Sequence, residues 1–280
     1  MKIFVWLQKR GFMRKQIVAF MTMICLLIAP MRAMAAGSAV LETEKLISQI
    51  GTVTRENREA VVRAVDAYNS LNDNEKATVS NFKVLEEAQQ VLGLEDALWG
   101  LYIKYNEVQN TYVITAPVFL QSIDRGESCI MPIIYLYEGQ EQPEMVVDYI
   151  SMADKYIEIN RITVDIDEKQ TTFDKKDFTY LGMMVKPVEY NHTSKCYETV
   201  RKKATKEEII SLKSMVEANK VNITFWGETE KFFGNDVIKR SEYQLEPNIR
   251  WAIDSVLQAY DILVSVSPEA RAKALEISRK

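Results

Sequence analysis

Ser80-Asn81-Phe82-Lys83 has the spacing of a Ser-x-x-Lys pair, the arrangement in which a lysine beside a serine hydroxyl serves acyl transfer. That chemistry also needs a helix N-terminus under the serine, a further Ser or Tyr element and a Lys-Thr-Gly strand beside the site. No Lys-Thr-Gly occurs in the chain, so Ser80 reads instead as the short polar joint that starts the next helix, its oxygen accepting backbone N–H bonds. Cys129 and His192, the single histidine, could in principle form a thiol–imidazole hydrolase pair. Cys129 opens a strand-like run, however, whereas a reactive thiolate needs a helix N-terminus or a nearby cation to lower its pKa. Asp165, Asp167, Asp174 and Asp177 offer oxygen ligands for calcium, but the glycine of an EF-hand loop is missing and the acids straddle a hairpin, which favours a solvated turn. One histidine and two cysteines do not complete a usual zinc site without distant carboxylates. With no glycine-rich phosphate loop and no Gly-x-Ser-x-Gly elbow, the sequence assigns no catalytic residue, no metal and no cofactor. Surface chemistry is left: Trp226, Phe232 and Phe233 around Gly227, with Tyr243 nearby, make a candidate aromatic platform for a sugar or a peptide. Trp226 is opposite in phase to Val221, Ile223 and Phe225, so it is exposed if those three face the core, unless a helix covers it.

The elements that carry these residues begin after an export signal. Lys2, Lys9, Arg10, Arg14 and Lys15 precede the apolar run Ile17 to Ala29, followed by Ala33-Met34-Ala35-Ala36. This is the order of a secretory signal peptide, and the run is shorter than the ~20 residues a membrane span needs, so residues 1–36 are expected to be cleaved after Ala35 or Ala36. Cys25 then leaves with the signal. The remaining chain holds 29 basic against 39 acidic residues, a balance near −10. Such a surface disfavours nonspecific binding to nucleic acid or to an anionic membrane. Cys129 and Cys196 remain, and outside the cytosol an even pair points to a disulfide, with two separate thiols as the alternative.

From Leu41 to Leu94 the pattern is helical. Leu46, Ile47 and Ile50 stop at Gly51, and Thr54 caps a helix with Val61, Ala64, Val65, Tyr68 and Leu71 on one face. Asn72 and Glu75 stand at capping-box spacing, and Phe82, Leu85, Ala88 and Leu92 repeat at helical spacing. The pieces Ile50-Gly51, Val53-Thr54, Ala67-Tyr68, Leu71, Lys76, Val79-Ser80-Asn81 and Leu85 resemble a short helical module of secreted and surface proteins of Gram-positive bacteria. That resemblance covers Ile50 to Leu92 and implies a spacer or interaction unit without catalytic residues.

After Gly93 the character changes. Ala97 to Asn110 fits a helix or a linker, while Tyr112 to Leu120, Cys129 to Tyr137 and Val146 to Ile150 read as strands. Tyr156 to Ile166 turns at Asp167-Glu168-Lys169 toward Thr171 to Phe173, a hairpin. Thr205 caps a helix to Lys220, Val221 to Trp226 alternates as a strand with a partner at Lys231 to Lys239, and Pro247 opens a long helix. A short charged helix, Pro268 to Ser278, is expected to fray. Phe225, Gly227, Phe232-Phe233 and Ala259-Tyr260 make this tail similar in outline to a domain of Gram-positive secreted proteins that implies no known activity.

The expectation is therefore an α+β protein: a signal at 1–36, a small helical bundle at 37–94, and an antiparallel sheet packed with helices at 95–280. Its expected role is secreted or cell-surface, non-catalytic binding or spacing at the bacterial cell envelope, with an envelope polymer, glycan or protein as partner. The contrasting reading is a secreted hydrolase of cell-wall or host polymer, since paired carboxylates leave no linear signature.

Overall fold

The computed structural model describes residues 37–188, 193–232 and 235–278, so the expected export signal lies outside the described residues. The chain is α+β and divides between Leu92 and Gly93 into two compact units.

In the first unit residues 37–48 form helix α1, followed by a 3-10 turn (Arg55–Asn57), α2 (Arg58–Ser70), α3 (Asp73–Lys76) and the start of α4 (Phe82–Leu98). Periodic apolar residues close one core around Ile47, Ile50, Val61, Leu71, Val79 and Leu85. The break at Asn72 works as its sequence suggests: the Asn72 side chain accepts from the N–H groups of Asn74 and Glu75, and Glu75 reaches back to the Asn72 N–H at 2.9 Å. Tyr68 stacks on Phe82 with ring centroids 4.6 Å apart, a pair worth about 0.5–1.5 kcal/mol beyond its buried area. Among the described residues no backbone N–H donates to Ser80, contrary to the expected cap. Ser80 donates both its N–H and its hydroxyl to the Glu44 carboxylate at 2.7 Å, while the Asn81 side chain donates to the Glu44 carbonyl, so the joint ties α1 to the start of α4.

The second unit holds two antiparallel sheets. The larger has the order β1 (Tyr102–Asn106), β2 (Thr111–Thr115), β3 (Cys129–Tyr137), β4 (Glu144–Ala153), β8 (Thr193–Lys203), β7 (Tyr180–Val188). The smaller has the order β10 (Asn235–Gln244), β9 (Val221–Phe232), β5 (Arg161–Ile166), β6 (Lys169–Asp174). Several readings of the sequence need correction. The expected strand Tyr156 to Ile166 begins only at Arg161, and the expected partner strand Lys231 to Lys239 is instead Asn235–Gln244, with Lys231 still in β9. Ala97 to Asn110 is neither one helix nor a linker, because it ends α4 and then forms β1. The expected strand Tyr112 to Leu120 stops at Thr115 and continues as helix α5 (Pro117–Arg125). Both signals of α5 are present in the sequence: Pro117 at the first helical turn, and Gly126 with φ 75° as its left-handed C-terminal stop. Finally, α8 (Pro268–Ser278) does not hang free. Ala270, Arg271, Ala274 and Leu275 are all buried.

Helix α6 (Lys206–Glu217) is capped by Thr205 through the reciprocal Thr205/Glu208 pair, and α7 (Pro247–Ser265) packs its Ile249, Ile253, Val256 and Leu263 face inward, against β3 and α6. The sheets meet where Tyr149 of β4 lies 5.7 Å from Phe173 of β6, with the Lys202 ammonium over the Phe173 ring and paired with Glu208. A second charge pair, buried Asp148 with Arg201 through two 2.7 Å bonds, cross-links β4 to β8.

The segment between β4 and β5, residues 154–160, carries the chain from one sheet to the other. Glu158 takes φ 59°, which turns the N–H groups of Ile157 and Ile159 the same way, and both donate to the buried carboxylate of Glu198 on β8. The acid thus fills a concave array of backbone donors that would otherwise be left unpaired among buried Ile157 and Ile159.

The β5–β6 hairpin turns on Asp167 and Glu168, both at positive φ (42° and 73°), the geometry of a tight primed turn that normally favours Asn-Gly. Asp167 is held there because its N–H donates to the Lys220 carbonyl and its carboxylate accepts from the N–H groups of Asn219 and Lys220 at 3.0 and 2.8 Å. These donors hold the Asp167 carboxyl below the usual carboxylate range. Its contribution to stability is complete above the unfolded carboxylate value and is lost as pH falls through the lowered folded one. Between roughly pH 6 and pH 3 the melting temperature should therefore fall more steeply for the parent than for Asp167→Asn. Parallel slopes would show that the charge does not hold this turn.

Candidate ligand-binding site

Strand register decides the fate of the aromatic platform. In β9 the side chains of Val221, Ile223 and Phe225 are fully buried, and Trp226 projects from the other face as its phase requires. Trp226 is half-buried rather than bare, because its own sheet holds it. Its indole N–H donates to the Thr163 hydroxyl at 2.9 Å, and the Arg161 guanidinium sits 5.0 Å from its ring centre. Tyr243 pairs with Ile223 and so belongs to the buried face, where burial pushes its phenol well up from the usual value. Trp226 and Tyr243 therefore stand on opposite faces of one sheet. Phe232 ends β9 opposite Asn235, and Phe233 lies outside the described residues.

The expected Cys129–Cys196 disulfide is absent, and the topology excludes it. Cys129 pairs with Ile150 on β4 and Cys196 with Ala153 on the far side of the same strand. Two strand spacings are about 10 Å, beyond the ~7 Å limit between bridged Cα atoms. Residues 150 and 153 also point to opposite faces, which separates the sulfurs further. Cys129 is instead a buried thiol pushed up to about 12, first by burial and then by the charges of Asp148 and Glu127. Such a thiol is the reverse of an activated nucleophile. Its imagined partner, His192, lies outside the described residues. Of the four clustered acids, Asp165 accepts from the Gln170 side chain, Asp167 holds the turn and Asp177 accepts from the Asp174 N–H. Among the described residues no group of three His, Cys, Asp or Glu is placed to hold a metal ion, and no helix is long and apolar enough to cross a membrane.

A concavity among the described residues lies elsewhere, at the β1 edge of the larger sheet. Strand pairing sets Tyr105, Tyr112 and Leu136 in one row across β1, β2 and β3, with the two tyrosine rings 4.8 Å apart. Pro268, Arg271, Ala272 and Leu275, at helical spacing i, i+3, i+4 and i+7, bring one face of α8 to the same space. The β3–β4 turn, Glu138 to Glu141 with Gly139 at φ 82°, closes one end. Together they bound a recess of about 350 Å³, at the small end of the range for ligand sites.

Its polar groups are few. The Tyr105 hydroxyl lies 3.4 Å from both Asn110 Oδ1 and Glu138 Oε2. Arg271 is only 4% exposed and stitches the wall together, donating from Nη1 to the Glu141 carbonyl and from Nη2 to the Val266 carbonyl at 2.5 and 3.1 Å. Among the described residues no atom accepts from its buried Nε. Burial pulls the Arg271 guanidinium below the usual arginine value. Sequence pattern did not reveal this site, although two signals lie in it: tyrosines repeated through consecutive strands, and an arginine on the small-residue face of a terminal helix. Searches of protein-family models, curated proteins and solved structures find no match to this chain.

Proposed function

We propose that this protein is exported and acts as a non-catalytic binding protein of the bacterial cell envelope, with the recess between the Tyr105–Tyr112–Leu136 row and α8 as its ligand seat. The observation that carries this reading is the recess itself: aromatic and aliphatic walls with a small number of placed polar groups, the composition of a small-ligand site. The signal-like residues 1–36, the acidic balance of residues 37–280, and the resemblance of Ile50 to Leu92 to a surface-protein module support the location.

Purified protein applied to an array of cell-wall fragments, envelope glycans and envelope proteins should bind, and Tyr112→Ala should weaken that binding by about tenfold or more, as loss of an aromatic anchor does. Trp226→Ala, on the other sheet, should leave it unchanged. Loss in the Trp226 variant with retention in the Tyr112 variant would place the seat on the smaller sheet instead, and an array without any binding would overturn the reading.

A further inference from the structure

We propose that strand β7 is the seam of a homodimer, in which two copies of this chain pair antiparallel about a twofold axis at Met183 and join their larger sheets into one. β7 ends that sheet on one side. One of its edges pairs with β8, from Tyr180 opposite Arg201 to Val188 opposite Thr193, and among the described residues no strand lies along the other. An open edge is a row of main-chain N–H and C=O groups ready to pair with another chain, and proteins commonly blunt it with charge. The other sheet edges follow that rule, with Lys104 in β1, Lys169 and Asp174 in β6, and Lys239, Arg240 and Glu242 in β10. β7 departs from it. Tyr180 to Val185 holds no charge, and Tyr180, Met183, Met184 and Val185 are 44% to 59% exposed although Met183 and Met184 point to opposite faces. Apolar exposure on both faces at once is what a missing lateral neighbour produces.

The residue pattern of β7 fits its own reverse. With the axis at Met183, Leu181 falls opposite Val185, Gly182 opposite Met184, and Tyr180 opposite Lys186. The one charged residue of the strand, Lys186, is thereby kept away from its own copy. Pro187, which has no N–H to give, stays outside the paired run Tyr180 to Lys186. The Tyr180 ring lies over Gly182, where an added Cβ would come 2.7 Å from the tyrosine hydroxyl, so Met184 of the second copy meets an aromatic ring, a contact that sulfur favours. Pairing about a twofold also consumes both open edges and leaves none to extend, so an uncharged edge used in this way ends in a dimer and not in a fibre.

Sedimentation equilibrium of the full purified protein, from about 1 to 200 µM, should show a reversible dimer with a dissociation constant of about 1–100 µM, as fits a seam one strand long. Met183→Lys and Met183→Glu, at an exposed position where the melting temperature of the monomer should hold, are each expected to raise that constant about tenfold or more, because the axis sets two like charges face to face. An equimolar mixture of the two variants should recover the dimer, since it sets opposite charges there instead. A parent that stays monomeric throughout overturns the proposal; if a fluorescent peptide of alternating valine and threonine then binds the parent and not Met183→Lys, the edge takes a foreign strand in place of a second copy. A dimer indifferent to both substitutions puts the seam elsewhere, and a mixture that stays monomeric removes the axis from Met183, so either result also overturns it.

Discussion

Gly227→Ala should lower the melting temperature of the protein by at least about 6 °C, the equivalent of about 2–3 kcal/mol in a unit of this size. A Cβ added at Gly227 would lie 1.8 Å from the carbonyl oxygen of Ile157 and 2.7 Å from its carbonyl carbon. Both are main-chain atoms, so no side-chain rotation relieves the overlap. The neighbouring bond from the Asn160 N–H to the Trp226 carbonyl, at 2.9 Å, shows how closely the 154–160 segment is laid on β9. Either the segment lifts, breaking that bond, or β9 bends away from β5. Thermal unfolding followed by circular dichroism reads the loss, and amide exchange at residues 157–160 should accelerate with it. An unchanged melting temperature would mean that the approach of Ile157 to β9 is not held in solution.

Glu198→Ala should act on the same segment from the other side. Removing the carboxylate leaves the Ile157 and Ile159 N–H groups buried without acceptors, at about 1–3 kcal/mol each. The expected fall in melting temperature is roughly 5–15 °C. Glu198→Gln tests the charge separately, because its amide keeps one acceptor oxygen and sets an NH2 donor against an N–H. It should recover only part of the loss. Since Glu198 and Gly227 fix one seven-residue connection, the double variant should lose less than the two single variants added together, as expected for sites sharing a structural element. Full additivity, or a Glu198→Ala protein as stable as the parent, would show that Glu158 holds its left-handed geometry without the acid.

Some of this architecture is written in short windows of sequence. The Asn72/Glu75 and Thr205/Glu208 boxes need only residues three apart, and both form. The alternation Val221, Ile223, Phe225 against Trp226 correctly separates the two faces of β9. The hairpin turn at Asp167-Glu168 is where the charges and flanking β-branched residues place it, though it is an unusual primed turn without glycine. Strands β7 and β8 are harder to read, because Tyr180 to Val188 does not alternate cleanly; Met183, Met184 and Val185 are all exposed on this outer strand. Where a strand's faces are not one wet and one dry, period-two patterning has nothing to report.

Local pattern is enough to settle the α+β class, the Asn72 and Thr205 helix caps, the alternation of the central strands and which side chains of β9 are buried. These follow from backbone hydrogen bonding and side-chain phase within a few residues. Long-range packing settles that β4 lies between Cys129 and Cys196, that Trp226 and Tyr243 face apart, that Glu198 reaches donors some forty residues away, and that α8 meets the tyrosine row to enclose a recess. Each of these depends on strand order and on which faces meet, and many strand orders satisfy the same local alternation equally well. The distinction is made by the burial and hydrogen bonding of distant segments together, which no short window contains.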